Sequence, residues 1–358
     1  MSSPARIVET VETAAFLAAS RAAVDARLEV RLASTLAAAE AAGPAARAVA
    51  DEVAALVRRG GKRLRPALVA ASYLAVTGDL AAATDAAVVE VGCALELLQA
   101  YFLIHDDWMD GDVVRRGGPT AHVTLARAHG DPHLGAALAV LAGDLASAEA
   151  HRAVAEVEAP PAIVRDVAAR FAHMHAEVVL GQALDLTLAA DDDAAVERMH
   201  DLKTGSYTVR GPIALGAALA GARSEVRAAL DAWARPLGVA FQLRDDLLGA
   251  FGTTAQTGKP VGSDLRAKKR TALLIAARKL ARGDDARALA MLLEGIIGDA
   301  EVARALEILE RCGARAHVEA TIDRHLVDVE AALAGEGLSE AGRALLSALG
   351  HKLAARSA

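Results

Sequence analysis

Residues 86–112 read AAVVEVGCALELLQAYFLIHDDWMDGD. Apolar side chains recur at helical spacing through 86–105, so the stretch predicts an α-helix. It then runs into Asp106, Asp107, Asp110 and Asp112, four aspartates within seven positions. Such an end is either a hydrated acidic terminus or a place for a cation. At 100° per residue, Asp106 and Asp110 lie about 40° apart on one face, and Gln99, two turns earlier, lies about 20° from Asp106. Like charges one turn apart repel, and the C-terminal end of a helix already carries partial negative charge. A divalent cation removes that penalty. Oxygen-only ligands with incomplete coordination suit Mg²⁺, which keeps several waters and shares its other positions with phosphates.

Outward from this stretch, the same periodicity returns in 162–190 and 229–251, alanine and leucine dominate, and alternating β patterns are scarce. An all-α bundle is expected. Its breaks fall at Gly60 and Gly61 ahead of Pro66, at Gly117 to Pro119, at Asp131 and Pro132, at Pro160 and Pro161, and in the stretch 252–262, with Pro212 and Pro236 at helix starts or kinks. The chain has 358 residues, 54% hydrophobic and only 3% aromatic, so a large core must be packed with aliphatic side chains. No Ser/Gly/Pro-rich linker separates differently composed halves, which favours a single domain over 1–358. A formal charge of −7 offers no basic stripe for nucleic acid. No apolar run is expected to reach the roughly 18 residues that span a bilayer; LGAALAVLAG stops at Asp144. Cys93 and Cys312 have neither metal-ligand nor disulfide-framework spacing. With no secretory leader at the N-terminus, a reducing cytoplasm is expected.

A second acidic pair narrows the alternatives. FQLRDD at 241–246 again brings an apolar helix to two carboxylates, Asp245 and Asp246, with Gln242 one turn before. Helix ends of this kind can face each other across a bundle and build a metal site. Basic complements stand in GGKRLRP at 60–66, Arg115 and Arg116, KTGS at 203–206 and GKPVGSDLRAKKRT at 258–271. Lysines serve phosphate as point charges and arginines grip it bidentately. Each basic cluster alone is an ordinary solvated face; together with the acidic pairs they describe a diphosphate site.

In order, GGKRLRP, HDDWMD followed by RRGGPTAH, GQALDL, KTGSYT, FQLRDD and GKPVGSDL resemble the motif series of the (E)-isoprenyl diphosphate synthases, over about residues 58 to 271. The resemblance implies an all-α isoprenoid synthase-like bundle around a deep cavity, a homodimer, and Mg²⁺, three ions with substrate bound. It implies condensation of isopentenyl diphosphate with an allylic diphosphate (dimethylallyl, geranyl or farnesyl). Asp106, Asp110 and Asp245 would hold the metal, supported by Asp107 and Asp246. Arg115, Lys203, Lys259 and Lys269 would bind the allylic diphosphate, and Lys62, Arg65 and Arg116 that of isopentenyl diphosphate. Gln99, Thr204, Gln182 and Gln242 would complete the wall, and Gly61 would let backbone approach phosphate or simply form a turn. Asp144 and Asp185 are read as structural.

Three departures stand out. The second acidic motif often ends in Asp, but here that position is Gly249, which implies weaker metal affinity. Gln99 replaces a frequent His, and the last basic motif leaves Lys268 and Lys269 as alternatives. His105, His122, His173 and His175 make no zinc site and are read as surface or wall residues, with tuning of the neighbouring carboxylates open to His105. Tyr101 and Phe102, just before the first acidic motif, are read as the pocket floor, which points to farnesyl diphosphate as product, with geranylgeranyl diphosphate the alternative. A class I terpene cyclase is disfavoured because the chain contains no Asn and has no Asn/Asp-Ser/Thr-Glu metal motif after residue 200, while GGKRLRP serves a second diphosphate. A non-catalytic subunit is disfavoured because Asp106, Asp110 and Asp245 are all present.

Overall fold

The computed structural model describes residues 4–187, 193–253, 261–266, 269, 271–295 and 298–355. Helices account for nearly all of it: α1 Pro4–Ala42, α2 Pro44–Arg58, α3 Leu64–Thr77, α4 Ala86–Met109, α5 Ala121–His129, α6 Pro132–Ala155, α7 Pro161–Thr187, α8 Asp193–His200, α9 Gly211–Leu219 and α10 Ser224–Phe251. Further helices follow at Ala272–Leu280, Gly283–Glu294, Asp299–Arg311, Ala314–Ala332 and Glu340–Ala355. Among the described residues the only sheet is a two-stranded antiparallel ribbon, β1 Val114–Arg115 and β2 Gly118–Pro119. The expected breaks coincide with these ends. Asp131 caps α6 by accepting from the His133 and Leu134 amides, and Pro212 stands in the first turn of α9. Pro236 lies inside α10.

Contacts divide the chain into two compact units. The first comprises Met1–Ala172, Pro212–Ser224 and Gly337–Leu345; the second comprises His173–Gly211, Glu225–Glu336 and Leu346–Ala358.

In the first unit α4 packs against α1, α3 and α6. It is apolar nearly all round, as a core helix must be, and buries Val91, Cys93, Ala94, Leu95, Leu97 and Leu98. One sequence expectation needs correcting here. The stretch Leu80–Met109 is long and apolar enough to cross a membrane by length and composition, although most of its apolar length is buried inside the protein. Glu90 and Glu96 interrupt the run, which is why a search for unbroken apolar residues passes over it. Both glutamates are buried and neutralised. Glu90 meets Arg27 at 2.7 Å and also Arg31, and Arg31 reaches Glu156 at 2.7 Å.

Glu96 meets Arg63, the middle residue of GGKRLRP. Arg63 is only 5% exposed and adopts the left-handed region at φ 49, unusual for a side chain with a Cβ. That conformation turns its guanidinium inward, where Nε donates to Asp25 at 2.8 Å and Nη2 to the Val57 carbonyl at 3.0 Å. Lys62 beside it is exposed. One motif thus carries an internal cation that fixes the start of α3 and an external one.

In the second unit, Leu243, Leu247 and Ala250 of α10 pack with Leu265, Leu273, Ala277, Ile308, Leu309 and Ile322. Large aromatics are few, and Trp233 is the bulkiest fully buried side chain.

Removing one partner of a buried ion pair strands the other. Arg63→Ala is therefore expected to cost about 3–5 kcal/mol, read as a lowered urea midpoint, while Lys62→Ala leaves the midpoint nearly unchanged.

Candidate active site

In the first unit the site is built at the end of α4. Asp106 lies in the last turn, and the Asp110 amide still donates to the Asp106 carbonyl at 2.8 Å, so Asp110 sits one helical turn further on, as the sequence spacing requires. Asp107 points the other way and is 2% exposed. After Asp112 the chain forms the β1–β2 hairpin, in which Arg115 pairs with Gly118. Arg116 (φ 50) and Gly117 (φ 74) make the two-residue turn, both with the positive φ that tight hairpins need.

The hairpin folds Arg115 back over the acidic turn. Its Nε donates to Asp107 at 2.6 Å and its Nη2 to Asp112 at 3.0 Å, with Asp106 at 4.0 Å. Burial pushes the Asp107 carboxyl up to about 6, against the opposing pull of Arg115. Asp112, given no role from sequence, is thus part of the clamp. Arg59, also missed, donates to the Pro119 carbonyl at 2.9 Å and lies where any Cβ on Gly118 would collide with it. Arg116 reaches back to the Leu56 carbonyl at 3.4 Å and lies beside Gly61, 3.5 Å from where a Cβ would stand. The left-handed conformation that requires glycine falls at Gly60 (φ 73), not at Gly61. Arg65 is half-buried in the first turn of α3, and Gln99 is half-buried on α4.

His105 is half-buried, with Nε2 3.9 Å from an Asp144 carboxylate oxygen. Its Nε2 lies 3.0 Å from the Val140 carbonyl and its ring occupies the space over Gly143, where any Cβ would overlap it. The Tyr101 ring meets His105 edge-on at 4.6 Å and Phe102 at 5.0 Å. His173 faces Glu177 at 3.6 Å.

In the second unit, KTGS lies in a π-helix, Asp201–Arg210. Wide helices of this kind are rare and concentrate at functional sites. Gly181 of GQALDL makes room for it: a Cβ there would fall 2.8 Å from the Lys203 Cα. Lys203 Nζ donates to Asp185, from the same motif, at 2.6 Å. Thr204 follows, half-buried, and Gln182 is half-buried on α7.

On α10, Asp245 is half-buried and Asp246 is 3% exposed. Asp246 accepts from Gln242 Nε2 at 2.8 Å and from the Ala272 amide at 2.7 Å. Burial, joined by the charges of Asp245 and Asp264, pushes its carboxyl up to about 7 against those hydrogen bonds. The Gln242 amide is therefore turned to its own helix. A cavity of about 490 Å³ in this unit has Gln242, Ala272, Ile275 and His325 in its lining, without Lys203 or Asp245. Lys269 is exposed. Lys259 and Lys268 lie outside the described residues.

Among the described residues no three carboxylate, imidazole or thiolate groups gather closely enough to enclose a metal. The donors are all oxygen and arrive in pairs, which fits Mg²⁺ completed by water and phosphate and does not fit a closed structural site.

A polyprenyl synthetase family model matches residues 47–309. The chain is 35% identical to the short chain isoprenyl diphosphate synthase of Methanocaldococcus jannaschii, over 71% of this chain and 74% of that protein. It is also 35% identical to the (2E,6E)-farnesyl diphosphate synthase of Mycobacterium bovis, over 83% and 80%. Its fold matches the crystal structure of geranylgeranyl pyrophosphate synthase from Corynebacterium glutamicum, complexed with isoprenyl diphosphate and magnesium. That match has a TM-score of 0.84 and 32% identity, covering 93% of this chain and 99% of that one. The motif order, the two acidic pairs and a family match over well over half its length agree: the chain belongs to the polyprenyl synthetase family.

Proposed function

We propose that this protein is a short-chain isoprenyl diphosphate synthase joining isopentenyl diphosphate to an allylic diphosphate. The observation that carries the reading is shared by both acidic pairs. The second carboxylate is buried and hydrogen-bonded, while the first stays half-buried at the helix surface. Asp106, Asp110 and Asp245 would hold Mg²⁺, which when bound neutralises the charge that develops on a departing diphosphate.

Arg115 and Lys203 bind that diphosphate and stabilise the charge it gains as the allylic carbon–oxygen bond breaks. Lys62, Arg65 and Arg116 hold isopentenyl diphosphate so that its double bond attacks the allylic cation. The released diphosphate takes up one proton from the resulting cation, leaving a chain longer by one isoprene unit. Aliphatic walls exclude water from the cation, and no protein nucleophile takes part. The chain acts as one prenyltransferase domain in a reducing cytoplasm, a setting supported by Cys93 and Cys312 being free thiols.

For product length we favour farnesyl diphosphate. Phe102 lies one turn before Asp106, and the Tyr101–Phe102–His105 contacts make a bulky, braced floor. Geranylgeranyl diphosphate is the second reading, favoured by the likeness to the Corynebacterium glutamicum enzyme.

A homodimer is supported by α6, whose Leu134 and Leu141 are exposed two turns apart on one face. Leu141 also borders an apolar groove lined by Ala38, Ala45, Val49, Leu138 and Leu145, which suits a second copy of the chain.

The purified chain, given Mg²⁺, isopentenyl diphosphate and in turn dimethylallyl, geranyl and farnesyl diphosphates, is expected to release elongated prenyl diphosphates. Cyclised hydrocarbon, or inertness with all three, refutes the assignment. Asp106→Ala and Asp245→Ala should each lower turnover by roughly a hundredfold to a thousandfold, the scale of losing one preorganised charge-stabilising group, with helical circular dichroism unchanged. Phe102→Ala should shift the products to longer chains, and an unaltered chromatographic profile removes it as the floor. Leu141→Asp should convert dimer to monomer by light scattering.

A further inference from the structure

In the first unit the cations assigned to the two diphosphates come from separate segments. Lys62 and Arg65 stand between the end of α2 and the first turn of α3, and Arg115 and Arg116 on the hairpin. Arg59, at which α2 ends, joins the two segments. Its amide closes the helix on the Ala55 carbonyl at 3.0 Å, while its side chain crosses to the hairpin. There one nitrogen, Nη1, donates to the Pro119 carbonyl at 2.9 Å and to the Arg115 carbonyl at 3.4 Å, one on each strand. The guanidinium lies over Gly118, where a Cβ would stand 2.6 Å from Arg59 Cζ and 2.7 Å from its Nε. Gly118 does not adopt a positive φ, so what glycine supplies here is room for Arg59. Glu52, two turns earlier on the same side of α2, is half-buried. Burial pushes its carboxyl up to about 7, against the charge of Arg59 and a hydrogen bond with Thr124 of α5.

The two hairpin arginines depend on this contact unequally. Arg115 is also gripped by Asp107 at 2.6 Å and Asp112 at 3.0 Å. Arg116, in the turn, reaches the Leu56 carbonyl of α2 at 3.4 Å, long for a hydrogen bond, and lies beside Gly61. We propose that Arg59 is a positioning residue for isopentenyl diphosphate, a role that rests on reading Lys62, Arg65 and Arg116 as the cations of that site. By tying the hairpin backbone to the end of α2, it fixes Arg116 relative to Lys62 and Arg65. It acts through carbonyl groups of the hairpin and does not itself touch substrate.

Arg59→Ala removes the contact, and Gly118→Ala displaces the guanidinium while leaving the arginine in the chain. Each variant is measured by elongation with isopentenyl and geranyl diphosphates varied in turn, and by calorimetric titration with isopentenyl diphosphate in Mg²⁺ buffer. Both are expected to raise KM and Kd for isopentenyl diphosphate roughly tenfold, the scale of one lost hydrogen bond, with KM for geranyl diphosphate little changed. The double variant should be no worse than either single one, because both remove the same contact. A merely structural role lowers the urea midpoint without this split between substrates. Unchanged affinity for isopentenyl diphosphate in either folded variant, an equal rise for both substrates, or additive effects in the double variant overturns the proposal. If Arg59→Ala does not fold, Gly118→Ala carries the same test. If the unaltered chain neither binds isopentenyl diphosphate nor elongates, the assigned function fails; if it binds and the variants bind equally well, Arg59 alone loses its role.

Discussion

A carboxylate removed from water must either be hydrogen-bonded or give up its charge. Both acidic helix ends of this protein are arranged around that requirement. Asp107 meets it through Arg115, a contact that, with the Arg115–Asp112 pair, ties the hairpin after α4 back onto the helix that precedes it. Asp246 meets it through Gln242 and the Ala272 amide, which ties the start of the Ala272–Leu280 helix to α10. In each pair the buried member anchors a neighbouring segment, and its position fixes where the adjacent aspartate stands. The half-buried aspartates, Asp106 and Asp245, inherit their placement from these buried partners.

Much of this was legible in the sequence because it is local. Apolar residues at helical spacing mark α4, α7 and α10, and the i, i+4 relation of Asp106 and Asp110 follows from helix geometry alone. The six motifs identify the family for the same reason: each is a short run of adjacent residues. The remainder depends on residues far apart in the chain or on backbone states that periodicity does not encode. Nothing in GGKRLRP distinguishes Arg63, turned inward by a positive φ, from Lys62 at the surface. The π-helix around Lys203 departs from the 3.6-residue repeat on which sequence reading relies, and its contact with Gly181 joins positions more than twenty residues apart. The approach of Asp264 to Gly249 likewise joins two separate motifs.

The core helix shows the same division of labour. α4 is apolar enough, by length and composition, to cross a membrane, and its two glutamates are what make it specific to this fold. Each must find an arginine from α1 or from the start of α3. Such pairs contribute little net stability compared with apolar replacements. They do penalise any register of α4 that leaves Glu90 or Glu96 unmatched, and so hold Asp106 at a defined height along the bundle.

Arg115 has a consequence for exchange. Its guanidinium is occupied by Asp107 and Asp112 before any diphosphate arrives. A phosphate oxygen that engages this arginine must compete with carboxylates already in place, and when it departs they are there to take the cation back. The clamp therefore acts as an internal substitute for the anion. In the diphosphate-binding role proposed for Arg115, these carboxylates would lower the penalty of vacating the site as well as the gain from filling it, and so would keep the grip on inorganic diphosphate weaker than an arginine with open donors gives. An enzyme that discharges inorganic diphosphate after every addition needs that reversibility as much as it needs the attraction.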